Sequence, residues 1–347
     1  MPIDTDYIAN LTADLCRIPS PTGYTHLATA RVLDEVAALG LTATVTNKGS
    51  LVIGLPSAES GPGRLLSAHV DTLGAMVKEI RFDGRLKLTL IGGYDWSTIE
   101  GEYCLVHRAN GDPISGTIVT NKASYHVHGS ALVDLKRGAD VMEVRLDALV
   151  SSADDVAALG IAVGDFISLD PRTEMTDSGH IKSRHLDDKA CVAIVLGVAR
   201  ALLDDGATLP VPGWLYISVF EEVGHGTSAG IPDGVRDVIA VDMAAVGAGQ
   251  TSDERAVTIC TKDSSGPYHY GLTRELIDLA ARDGRNYRTD IYPYYGSDVS
   301  QALRAGYDIR GGLVGPGVDA SHSFERLHRD SLTETAELLL AWLMESA

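Results

Sequence analysis

Helix–strand alternation fills both ends of this 347-residue chain and fails in the middle. Few architectures accommodate that order. At the front, Tyr7, Ile8, Leu11, Leu15 and Ile18 recur at helical spacing until Pro19 and Pro21 stop the helix. A second helix, with Thr25 as its cap and Leu27, Val32, Leu33 and Val36 as its apolar face, ends at Gly40. Extended runs at Leu41–Thr46, Leu51–Leu55 and Leu65–Val70 follow. From Met76 to Leu169 the pattern is short extended runs separated by glycine turns, with one short helix at Ala153–Leu159 capped by Ser152. After Asp170 the alternation returns. Asp188–Leu203 is apolar nearly all round and predicts a buried helix. Strands are expected at Trp214–Phe220, Val238–Val241, Val257–Thr261 and Ile309–Val314, and helices at Tyr270–Asp283 and Ser331–Met344. An α/β domain with a β-rich insert accounts for the order, the insert reading as a small barrel or sandwich.

Composition removes several functions. Forty-seven acidic against 29 basic side chains give a net charge of −18, which provides no overall field for nucleic acid or an anionic membrane. No stretch approaches the roughly 20 apolar residues that span a bilayer. The first sixteen residues lack a basic and then apolar leader pattern, so no secretory signal is expected. Cys16, Cys104, Cys191 and Cys260 lie far apart without a paired motif, which suits a reducing cytoplasm and argues against a disulfide framework or zinc ribbon.

Five segments place acids or histidines where apolar runs end, the crest where open α/β sheets bind ligands. In Ser67-Ala68-His69-Val70-Asp71, positions two apart share a strand face, so Asp71 can reach His69 and fix its tautomer. A turn aspartate capping a histidine explains the same residues. Asp187 and Asp188 precede the buried helix, where capping is the plainer reading and a bridging carboxylate the sharper one. Glu221 and Glu222 follow Tyr216–Phe220 directly, and carboxylates at a buried strand end need partners. Asp242 ends Val238–Val241, and His322 sits in a loop after Ile309–Val314. Together these supply two imidazoles, three carboxylates and a spare glutamate, with no thiol. Five ligands exceed one tetrahedral site and suit a pair of divalent ions sharing a carboxylate: zinc first, with cobalt or manganese also matching the donors.

On these motifs the chain resembles the glutamyl and tetrahedral (TET) aminopeptidase family of dinuclear metallopeptidases. The likeness runs from Pro19-Ser20-Pro21-Thr22-Gly23 to His322-Ser323-Phe324-Glu325. It implies a mixed-sheet catalytic domain with helices on both faces, residues 1–73 and 174–347, and an inserted β-barrel, residues 74–173, that serves dimerisation and assembly. It further implies that His69 and Asp242 hold one metal, Glu222 and His322 the other, and Asp187 both. Glu221 is then the general base acting on a water between the metals, and Asp71 orients His69. The 118 residues from His69 to Asp187 leave room for the insert after the first ligand. A related carboxypeptidase and amidohydrolase family instead carries a lid between its last two ligands. Cys191 replaces the family's usual glycine, and Ser-His-Ser-Phe its usual Thr-His-Ser-Pro. Leu73-Gly74-Ala75-Met76-Val77-Lys78-Glu79 and Asp319–Arg326 also resemble a branch associated with an N-acetylglutaminylglutamine amide osmolyte system.

The expected function is therefore removal of N-terminal residues from peptides by a cytoplasmic homo-oligomer, built from dimers and reaching a dodecamer. The alternatives are a metal-dependent deacylase or amidohydrolase acting on a modified dipeptide, and a non-catalytic scaffold. His126-x-His128, spaced for one face of a strand, has no acidic partner nearby and reads as structural. Tyr292-Pro293-Tyr294-Tyr295 reads as packing, and Gly224-His225-Gly226 as a flexible turn beside the site.

Overall fold

A computed structural model of the protein describes residues 1–346. The chain divides into two compact units, Met1–Asp71 with Arg172–Ala347, and Thr72–Pro171.

The first unit is built on a mixed sheet, thirteen strands among the described residues. At its centre, Gly63–His69 lies between Gly213–Ser218 and Val235–Val241 and is parallel to both. Arg310–Asp319 continues the parallel set beside Val235–Val241. These strands are buried on both faces, which is why their sequences read as nearly continuous apolar runs. Alternate residues feed two cores. Leu66, Ala68, Leu215, Ile217, Ile239 and Val241 enter one. Leu65, Tyr216, Val238 and Ala240 enter the other. Helix Leu186–Asp204 is buried over almost its whole length and packs on Thr5–Cys16, Arg329–Met344 and strand Gly63–His69.

The second unit is a closed six-stranded barrel of Gly74–Ile80, Leu86–Ile91, Tyr103–His107, Ile114–Thr120, Met142–Leu146 and Phe166–Leu169, every pairing antiparallel. Val77, Leu86, Leu88, Val106, Ile118, Val144 and Ile167 fill it. Ser152 caps its helix Ala153–Ala158 as expected.

Several local expectations change. Thr25 holds the N-cap position of His26–Ala38, but its side chain makes no capping bond. His126 and His128 lie on a single helical turn, Tyr125–His128, not on a strand. The strand expected to end at Val314 runs on to Asp319. Its Gly-Pro-Gly reads as a break, yet the glycines serve close approach. A Cβ on Gly315 would lie 1.7 Å from the Asp242 carbonyl oxygen, and one on Gly317 2.0 Å from that of Asp253.

Candidate metal centre

Three neighbouring parallel strands end along one edge of the sheet. Gly63–His69 delivers His69; the chain beyond Gly213–Ser218 delivers Glu221 and Glu222; the chain beyond Val235–Val241 delivers Asp242. His322 comes from the loop after Arg310–Asp319, at a left-handed φ of 62°. Asp187 arrives from elsewhere, at the start of helix Leu186–Asp204.

These residues converge. His69 Nε2 lies 3.1 Å from Asp187 Oδ1, and His322 Nε2 lies 3.3 Å from Asp187 Oδ2. One carboxylate thus faces an imidazole with each oxygen. Donor atoms of His69, Asp187 and Asp242 fall within 4.8 Å of one another, as do those of Asp187, Glu222 and His322. Glu222 Oε2 is 3.8 Å from His322 Nε2, and Glu221 Oε2 is 3.8 Å from His69 Nε2. The two adjacent glutamates therefore serve different imidazoles.

Asp187 and Asp188 do not cap the helix. Both have non-helical backbone, and their buried carboxylates are directed at the two histidine segments. Asp188 Oδ2 accepts the His69 backbone N–H at 3.1 Å. Asp71 also differs in detail from the expectation. Its backbone carbonyl, 2.9 Å from His69 Nδ1, is the closer partner; its carboxylate is 3.6 Å away. A carbonyl can only accept, so Nδ1 carries a hydrogen; Nε2 faces the Asp187 carboxylate, to which it donates when protonated. The Asp71 carboxylate instead accepts the backbone N–H groups of Glu221 at 3.1 Å and Glu222 at 3.3 Å, and the Thr22 hydroxyl at 2.7 Å. It holds the turn that carries both glutamates.

Two contributors escaped sequence reasoning. Glu325 accepts the backbone N–H of Asp187 at 3.1 Å and of His322 at 3.2 Å, tying two remote segments together. Gln301, on helix Asp298–Arg304, donates to Glu221 Oε1 at 2.6 Å. Glu325 was signalled only by its place three residues after His322. Gln301 carried no signal.

The electrostatics are those of crowded acids. Burial, then the neighbouring Asp187 carboxylate, pushes Glu222 up to about 8, Glu325 to about 8 and Asp242 to about 7. Burial drives Glu221 and Asp188 well above the carboxylate range, each helped by Asp242. Burial also works against ionised Asp187, but hydrogen bonds to His322 and His69 overcome it and hold its pKa low. Glu222 Oε1 and Asp188 Oδ1 are buried without a hydrogen-bond partner. Buried carboxylate oxygens need protons or cations, and this donor set of imidazole and carboxylate without thiolate fits divalent metals.

The family model of the M42 glutamyl aminopeptidases matches residues 49–338. The chain belongs to this family. Its relatives include the Bacillus subtilis (strain 168) protein named "Putative aminopeptidase YhfE", 49% identical over 330 residues and covering 95% of each chain. Solved TET structures share the fold. The TET aminopeptidase of the marine sediment archaeon Thaumarchaeota archaeon SCGC AB-539-E09 superposes with a TM-score of 0.88 at 17% identity, over 97% of both chains. Pyrococcus horikoshii TET1 peptidase, described as assembling into a tetrahedron or a large octahedral shell, gives 0.86 at 20% identity over 97% of this chain and 99% of its own. Among the described residues, no helix is long and apolar enough to cross a membrane.

Proposed function

We propose that this M42 protein is a two-metal aminopeptidase that removes N-terminal residues from peptides. The observation that carries the reading is Asp187, whose two oxygens face His69 on one side and His322 on the other. In this reading His69 and Asp242 hold one divalent ion, Glu222 and His322 the other, and Asp187 both, with zinc the first expectation. Divalent cations in such a site supply Lewis acidity, which makes water nucleophilic at neutral pH and polarises a carbonyl.

The chain's own residues do the rest. Glu221 takes a proton from the attacking water and gives it to the leaving amine. Its burial suits it to hold that proton in transit. Asp71 fixes the Glu221–Glu222 turn through both backbone N–H groups. Residual negative charge favours a free α-amine on the substrate. An acetyl cap removes that charge.

Assembly belongs to the same proposal: a homo-oligomer built from dimers, by analogy a dodecamer, with the barrel unit making contacts. Phe82, Tyr125, Val127, Val133, Leu149 and Val163 all leave apolar surface exposed on that unit. Light scattering at micromolar concentration giving a 36.8 kDa particle would remove this part. The four free, buried cysteines suit a reducing cytoplasm.

The activity is tested by incubating metal-loaded protein with a peptide and its acetylated twin and reading products by mass. We expect stepwise loss of residues from the free peptide only, abolished by chelation and restored by zinc or cobalt. Preferential cleavage of the acetylated twin would favour a deacylase. Full activity in demonstrably metal-free protein would end the two-metal reading.

A further inference from the structure

Glu221 has two oxygens in different surroundings. Oε2 lies 3.8 Å from His69 Nε2, on the side of the candidate ligands. Oε1 accepts a hydrogen bond from Gln301 Nε2 at 2.6 Å, and the same nitrogen lies 3.1 Å from the Glu221 carbonyl oxygen. The orientation of this amide is set by its other end. Gln301 Oε1 meets the backbone N–H of Gly226, a group that can only donate, so the oxygen must face Gly226 and the nitrogen must face Glu221.

The surroundings hold the amide in place. Gln301 is 4% exposed. Its helix, Asp298–Arg304, starts with a reciprocal capping box between Ser297 and Ser300. The Gly226 carbonyl accepts from Lys48 Nζ at 2.8 Å, and Thr227 N donates to Asp298 Oδ1 at 3.0 Å. Gly226 has no room for a side chain: a Cβ would sit 2.1 Å from Asp298 Oδ1 and 2.8 Å from Ser218 Oγ. The segment expected to be a flexible turn is clamped from three sides.

We propose that Gln301 is a positioning residue for proton transfer, its amide occupying Glu221 Oε1 so that Oε2 alone receives and returns the proton. The inference rests on the aminopeptidase reading. An amide N–H is not an acid at neutral pH, so Oε1 stays a hydrogen-bond acceptor throughout. Water loses a proton to Oε2 as its oxygen bonds to the carbonyl carbon and the C=O π pair moves onto the carbonyl oxygen, to return when the C–N bond breaks. That proton passes to the amine nitrogen as the C–N bond breaks and its electron pair moves to nitrogen. Glu221 ends as it began.

The test is a double-mutant cycle on the metal-loaded protein. Gln301→Met removes all three hydrogen bonds of the side-chain amide at similar length. Gln301→Glu keeps an acceptor for Gly226 but puts a second carboxylate against Oε1, where it competes for the same proton. Both variants are expected to lower kcat at least roughly tenfold, with KM within about twofold and metal content unchanged. In a Glu221→Gln background, Gln301→Met should add no further loss, because the group it positions no longer transfers a proton. Wild-type kcat in Gln301→Glu, or the same fractional loss in both backgrounds, would overturn the inference. If Gln301→Met does not fold, Gln301→Glu still decides, since it preserves the bond that holds the loop. Fully metal-loaded wild type that cleaves no peptide would sink the aminopeptidase reading and the shuttle with it. Active wild type with unaffected variants would sink only the role of Gln301.

Discussion

Strand Val235–Val241 carries a buried acid near each end, and the two ends differ in what surrounds them. At one end, Asp237 is fully buried and bound by Arg310, with Nε at 2.5 Å and a terminal nitrogen at 2.8 Å, and by Arg236. Burial works against its charge, but the two arginines hold its pKa below the usual carboxylate range. At the other end, Asp242 is 5% exposed, and burial with Asp187 pushes it up to about 7. The strand and the degree of burial are shared; the neighbouring charges are opposite. The barrel repeats the first case, where buried Glu143 lies 3.2 Å from an Arg85 nitrogen and 3.8 Å from an Arg81 nitrogen. A buried acid with its arginine is complete as structure. A buried acid among acids has no such partner, and that marks this end of the strand as the candidate for chemistry.

The contrast can be broken in several ways. The largest effect is expected at the acid-rich end. Glu221→Gln should keep its metals yet lose at least roughly 100-fold in kcat, the usual scale for a general base. Normal turnover in that variant, read by steady-state kinetics, would show the base to be misassigned. At the arginine-bound end the effect should fall on stability alone. Asp237→Asn removes the carboxylate that Arg310 and Arg236 share and leaves Arg310 with Glu275 alone, which should cost about 2 kcal/mol in denaturant unfolding while kcat of the folded enzyme is unchanged.

A smaller effect sharpens the contrast through pH. Glu222 and Glu325 at about 8 and Asp242 at about 7 all lie above their unfolded values near 4. Without metal, the folded protein therefore binds protons that the unfolded chain releases. Their stabilising contribution is complete below about pH 4 and is lost as pH rises through 7 to 8. Chelated protein should show a Tm that falls between pH 6 and pH 8.5, and the rise in Tm on adding zinc should grow over the same interval. A zinc-induced rise independent of pH would show these acids to be ordinary.

The candidate cluster was readable in sequence in part because His69, Glu222 and Asp242 follow apolar runs whose parallel strands deliver their carboxyl ends to one edge; Asp187 comes from a helix start and His322 from a loop. The supports were not readable, because they act across the chain. Asp71 reaches the Glu221 N–H over 150 residues and Glu325 the Asp187 N–H over 138, and neither leaves a local pattern. Helix Asp298–Arg304 was hidden because Tyr-Gly-Ser-Asp reads as a turn and seven residues show too little periodicity. Strands Ala244–Val246 and Glu325–His328 are too short to alternate visibly. His126 and His128 show the opposite failure, a period-2 spacing on a helical turn. The family resemblance supplied what spacing alone left open, an expected division of these donors into two groups.

Metal content tests the central claim most directly. The protein is equilibrated with zinc, passed through metal-free buffer and counted by elemental analysis beside Asp187→Asn and Asp237→Asn. Two ions per chain are expected in wild type and in Asp237→Asn, and none in Asp187→Asn, because Asp187 belongs to both donor groups. A wild-type chain that holds no divalent ion, or an Asp187→Asn chain that still holds two, would contradict it.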